Sequence, residues 1–251
     1  MTPLLRLRVL LFCLATSTAF AGAGSLFPLW QPPGTAGLLP YGAGVTWTQQ
    51  KQAYTLDDLT FAVPGGFPAV GQLRPENRSR AITVRPNLWL LPFLQLYGVA
   101  GHVVSDTTVS NIPLVGEVVS RNTGTYYGGG AVLAYGRHDW FASVDVNYTY
   151  ADMSGVDDSQ RTLTLQPQIG RNFGRLSTWL GAMYEDTAET TSGVFPLTGF
   201  GDVPYRVKLK TASPWNGRVG AQWNFNPHVG LAAELGFGAR TGVLTSLEFA
   251  W

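Results

Sequence analysis

From about Tyr41 onward, apolar and polar residues alternate with a period of two, the pattern of strands that meet different surroundings on their two faces. In WFASVDVNYTYA, Trp140, Ala142, Val144, Val146, Tyr148 and Tyr150 share one face. Phe141, Ser143, Asp145, Asn147 and Thr149 share the other. RTLTLQPQIGRNF, WNGRVGAQWNFN, VGLAAELGFGA and the terminal GVLTSLEFAW repeat the alternation. The pattern predicts strands over 42–52, 82–91, 94–104, 125–136, 140–151, 161–172, 176–187, 213–225, 229–239 and 242–251. YTLDDLTFAV (54–63) reads equally as loop, short helix or an extra strand. The expectation is therefore about ten strands, with twelve as the alternative.

A soluble sandwich also alternates, so the nature of each face decides. Here the apolar face carries aromatics at strand ends: Trp140 and Tyr150, Trp215 and Phe225, and Trp251. The opposite face carries Gly, Asn, Gln, Thr and single charges. Aromatic girdles around an apolar band, over a polar interior, belong to a transmembrane barrel. Closure lets a sheet satisfy its backbone hydrogen bonds in lipid. The expected fold is thus all-β, a closed antiparallel transmembrane β-barrel over 41–251. In that fold Trp140, Tyr150, Trp215, Phe225 and Trp251 sit at the membrane interfaces. Arg85, Asp145, Glu185, Arg218, Gln222, Glu234 and Glu248 line the lumen.

The connections sort into two kinds. Short ones fall at Leu91-Pro92, Gly136–Asp139, Asn172–Arg175 and Asn226–His228. Long ones are expected at 64–80, 105–124, 153–160 and 188–214. Short periplasmic turns and longer extracellular loops are the habit of such barrels. The alternation of the two kinds holds if PYRVKLKTASPW (204–215) belongs to one long strand kinked near Pro214.

Composition narrows the picture further. The 251 residues carry a formal charge of +1, which argues against a nucleic-acid partner. Charged residues make up 13%, about half the share of a soluble domain. The N-terminus has Arg6 and Arg8, an apolar run from Val9 to Ala15, and Ala19-Phe20-Ala21, the layout of a cleaved secretory signal over 1–21. Its apolar run is short for a spanning helix. The single cysteine, Cys13, falls inside that signal, so the mature chain is expected to have no disulfide, thiol nucleophile or thiolate metal site. Residues 22–40, rich in Pro and Gly, read as a periplasmic segment or a plug within the lumen.

The final strand, LTSLEFAW, resembles the C-terminal signature of Gram-negative outer-membrane proteins in its alternation and terminal aromatic. It departs from that signature in having Trp251 where Phe is commonest. LWLLPFLQLYGVAGH, GGGAVLAYG, WLGAMYE, PWNGRVGAQW and ELGFGAR resemble, more loosely, a group of small proteobacterial barrels without assigned activity. The resemblance implies location in the cell outer membrane, contact with its lipid and lipopolysaccharide, and delivery by the barrel-assembly machinery through the last strand. It implies no substrate.

Candidate chemistry is sparse. His102, with Ser105 and Asp106 near in sequence, is the one neighbourhood that could form a hydrolase dyad or triad; a rim histidine beside a polar loop is the simpler reading. Asp57-Asp58 and Asp157-Asp158 are adjacent pairs whose members point to opposite faces if extended, so solvated loop charges are expected. No cofactor or metal motif is present, and no catalytic residue is assigned. Arg206, Lys208 and Lys210 form a basic row that could meet lipopolysaccharide phosphates, or simply face solvent. The expected function is a narrow channel for small solutes. The alternative is a closed structural or surface-interaction barrel, because a ten-strand barrel lies nearer the filled eight-strand case than the open sixteen-strand porins. A hydrolase ranks last.

Overall fold

The computed structural model describes residues 39–61, 74–112, 116–154, 160–197, 201–211 and 213–251. The expected signal 1–21 and nearly all of segment 22–40 lie outside the described residues. Eleven strands form one antiparallel sheet: β1 (Tyr41–Phe61), β2 (Arg74–Leu91), β3 (Leu94–Ile112), β4 (Gly116–Arg137), β5 (Trp140–Met153), β6 (Gln160–Phe173), β7 (Leu176–Leu197), β8 (Gly201–Thr211), β9 (Trp215–Asn226), β10 (Val229–Gly238) and β11 (Arg240–Ala250).

The sheet closes on itself. β11 pairs with β1 over eleven residues, with Val45 opposite Leu247. The last residue takes part: Trp251 N donates to Tyr41 O, and Tyr41 N donates to Trp251 O. The eleven strands occupy ten staves, because β8 and β9 share one. β9 pairs with the lower part of β7, from Leu176 to Tyr184, and β8 with its upper part, from Ala188 to Leu197. Between them Pro214, which cannot donate a ladder hydrogen bond, marks the kink that the sequence places there.

The core is inverted relative to a soluble protein. Among the described residues only Tyr54, Val103, Ala151 and Ala232 are buried apolar side chains, whereas eight polar or charged residues are buried. Large apolar side chains such as Ile82, Leu133, Ile169, Leu180 and Leu235 stand exposed on the outer face. That surface would cost solubility in water, and it is the surface a bilayer requires. The outer face changes character along each strand. On β1 it runs Val45, Trp47, then Gln49 and Lys51. On β2 it runs Val84, Ile82, then Arg80, Arg78 and Glu76. The apolar band therefore ends well before the strands do.

Three expected loops need correction. The long connections at 105–124 and 188–214 are largely β-hairpin: β3 and β4 stay paired from Leu94–Leu133 up to Ile112–Gly116, and β7 and β8 up to Leu197–Gly201. Residues 74–80, placed in a loop, belong to β2, and YTLDDLTF is the far end of β1, bulged at Leu56/Asp58. The reason is that a strand leaving the lipid has water on both faces. It loses its apolar alternation there, and with it the sequence signal, but not its ladder of backbone hydrogen bonds.

The opposite end has tight turns at His138-Asp139, Gly174-Arg175 and Pro227-His228, within the expected short connections, and at Pro92-Phe93, one residue beyond the expected Leu91-Pro92. His138 and Gly174 hold the same first central position of their turns, with φ of 56° and 65°. Positive φ there matches hairpin twist.

Candidate functional site: the polar lumen

Inward residues of all ten staves line a cavity of about 910 Å³. Its wall includes Arg85, Asp145, Glu185, Arg218, Gln222, Glu234 and Glu248. Most of the rest is neutral and polar, with Thr46, Gln50, Ser79, Asn147, Thr164 and Gln168 among it. The cause is strand parity: once one face of each strand is given to lipid, every second residue must enter the barrel.

Two clusters of like composition organise this interior. In the first, Tyr97 on β3 donates its hydroxyl to Asp145 Oδ1 at 2.5 Å. Arg85 on β2 lies 3.9 Å from Asp145 Oδ2 and stacks its guanidinium 3.8 Å over the Tyr97 ring. It also donates to Gln95 Oε1 at 3.2 Å, and Gln95 donates onward to Asn87 at 3.1 Å. Arg85 and Asp145 belong to β2 and β5, three staves apart, so this pairing spans part of the lumen. Gly130 on the intervening β4 makes the room, since a Cβ there would lie 2.6 Å from the Tyr97 hydroxyl.

In the second cluster, Arg218 on β9 pairs with Glu234 on β10, and both side chains are only 11% exposed. Trp179 on β7 donates its indole N–H to the same Glu234 oxygen at 2.9 Å. It reaches Glu234 across Gly220, where a Cβ would lie 2.3 Å from the ring. Each cluster thus holds an arginine, a carboxylate and an aromatic donor, with the ring laid over a glycine of the neighbouring strand. In strand order the first occupies β2, β3 and β5, and the second β7, β9 and β10, which are facing sides of a ten-stave barrel.

Two further acids complete the wall. Glu185 pairs with Arg240 at 2.8 Å, near the far end. Glu248 accepts from Ser246 at 2.5 Å, while Ser246 and Thr46 lie 2.8 Å apart. Its carboxylate lies over Gly44, where a Cβ would come within 2.7 Å. Among the described residues Glu248 has no cationic partner.

Tyr97 and Trp179 are the residues the sequence reading passes over, because it assigns aromatics to the lipid face. Parity carried the signal: Tyr97 is two residues from Gln95, and Trp179 is six from Glu185, both inward.

The outer aromatics form two belts. Trp140, Phe225 and Trp251 stand exposed at the short-turn end. Tyr150 and Trp215 stand at the other end, where Tyr150 stacks on Tyr127 at 5.5 Å and Trp215 meets Tyr184 edge-on at 5.3 Å.

The possible hydrolase neighbourhood is split by the strand. His102 is exposed on the outer face, while Ser105 points inward and accepts from Asn77 at 2.6 Å. Asp106 pairs with Arg121 at 3.6 Å. Asp157 and Asp158 lie outside the described residues. So do the side chains of Asp57, Asp58, Arg206, Lys208 and Lys210, though their backbones belong to β1 and β8.

No protein-family model matches the sequence, and no curated protein matches it either. Among solved structures, the outer-membrane protein OprG from Pseudomonas aeruginosa is similar to this chain with a TM-score of 0.50 at 10% identity, over 85% of this chain and 97% of that one. The fold is that of an outer-membrane β-barrel. The transport unit of the autotransporter AIDA-I from Escherichia coli is similar with a TM-score of 0.44 at 11% identity, over 94% and 96% of the two chains. The COG4313 outer-membrane channel from Pseudomonas putida F1 follows at 0.40 and 13%, over 88% and 100%.

Proposed function

We propose that this barrel is a narrow channel through which small solutes cross the outer membrane. The observation that carries the reading is a cavity of about 910 Å³ inside the barrel, lined from every stave. A barrel that served only as an anchor could fill its interior with side chains, as eight-strand barrels do. Here the missing side chains of Gly44, Gly130 and Gly220 let Glu248, Tyr97 and Trp179 lie close against the wall. The reading assigns no catalysis to the chain. It places the short turns in the periplasm, the strand extensions outside the cell, and lipopolysaccharide around the upper girdle. It also has the assembly machinery engage β11.

The test is insertion of the folded protein, verified by heat-modifiable gel mobility, into planar bilayers. Small stepwise conductances are expected. Folded protein that gives neither conductance nor solute flux would overturn the reading.

A second reading, a barrel that acts through its extracellular surface, draws on the strand extensions beyond the apolar band. Removing the β7–β8 tip while conductance persists would separate the two: loss of a surface interaction alone favours the second.

A further inference from the structure

We infer that the lumen selects small neutral, polyhydroxylated solutes and disfavours both anions and cations; this rests on the channel reading above. The structure juxtaposes two facing arginine–carboxylate–aromatic clusters that cancel their own charge within a wall whose other residues are mostly neutral amides and hydroxyls. An ion entering a narrow lumen sheds part of its hydration and must be repaid by fixed charge of opposite sign. Arg85 and Arg218 are already committed to Asp145 and Glu234, and each acid is further held by an aromatic N–H or O–H. Neither cluster offers an ion a free counter-charge. A neutral solute bearing hydroxyls loses less on entry, and Asn, Gln, Ser and Thr offer donors and acceptors together.

The balance is not perfect. Glu248, the acid with no described cationic partner, leaves one negative charge on the wall. The inferred order of passage is therefore neutral first, cation second, anion last.

The experiment uses the full-length folded protein in liposomes, with valinomycin and potassium holding the voltage near zero. Efflux of glucose, glucosamine and gluconate, which share a carbon skeleton, is measured. Glucose is expected fastest and gluconate slowest. Asp145→Asn with Glu234→Gln should free both arginines and raise gluconate relative to glucose by about tenfold, the effect of an uncompensated charge a few ångströms from the path. Arg85→Gln with Arg218→Gln should raise glucosamine instead, and Glu248→Gln should bring glucosamine and gluconate together. Gluconate or glucosamine leaving wild-type liposomes as fast as glucose would overturn the inference. So would a conducting channel that passes none of the three, or charge-freed variants that retain the wild-type order. Absence of both conductance and flux would instead overturn the channel reading beneath it.

Discussion

The wall has a regular part and a spliced part. From β1 to β6 each strand pairs with its sequence neighbour, with register shifts only near the strand ends at Trp89/Leu91 and Ser110/Ile112, and the ladder needs little beyond alternation and tight turns. Around β7 to β11 the pairing changes partners. The β10–β11 hairpin is short, ending at Gly238–Arg240, so β8 runs above its tip and pairs directly with β1 from Tyr54 to Phe61. The splice interrupts the strand at 213–214, where the Pro214 carbonyl accepts from Glu185 N on β7 at 3.0 Å. Arg240 braces that place. It is 2% exposed, pairs with Glu185 at 2.8 Å, and donates to the carbonyls of Pro214 at 3.0 Å, Ser213 at 3.4 Å and Glu185 at 3.4 Å. Its own N–H donates to Asn216 Oδ1 at 3.0 Å. The lesson is that a barrel can change strand partners where a long buried cation braces the junction.

This contrast can be broken most sharply at Arg240. Arg240→Ala removes the buried ion pair with Glu185 and the contacts to the carbonyls together, and should cost about 3–5 kcal/mol. Arg171→Ala in the regular part removes an exposed pair with Asp139 and exposed ring contacts with Trp140 and Phe173, and should stay within about 1 kcal/mol. Urea unfolding in detergent micelles, followed by heat-modifiable mobility, measures both. Equal effects would mean that the splice needs no special support.

A smaller effect is expected at Gly220, where the spliced side accommodates a ring. Gly220→Val drives a side chain into Trp179 and should cost about 1–3 kcal/mol. The same unfolding assay reads it, and quenching of Trp179 fluorescence by a soluble quencher should rise as the ring is displaced from Glu234. An unchanged midpoint would show the ring to be loosely held.

The smallest effect lies in the turns of the regular part. His138 adopts the left-handed φ that Gly174 adopts freely. His138→Gly should stabilise by about 1 kcal/mol and Gly174→His destabilise by a similar amount. Two shifts of the same sign would show that turn chemistry, not φ, governs there.

Much of this was legible in the chain. LTSLEFAW, paired with β1 around Val45, marks where the barrel closes. Strand parity puts Asp145, Arg218, Glu234 and Glu248 on the polar face, and the turns at His138 and Gly174 punctuate the hairpins. The far ends of β1 to β4, and β8, were not legible, because strands with water on both faces carry no alternation. Nor could the chain reveal which inward charges meet: Arg85 and Asp145 are sixty positions apart in sequence and adjacent only through closure.

What the sequence determined by itself is the two-sidedness of each strand, since side-chain direction follows from a fixed period of two. What only the tertiary structure decided is how the inner faces combine: which arginine neutralises which carboxylate, that Glu248 stands apart, and that Arg240 seals the splice. Those outcomes depend on register and curvature around ten staves, and distance across a closed barrel is not a function of distance along the chain.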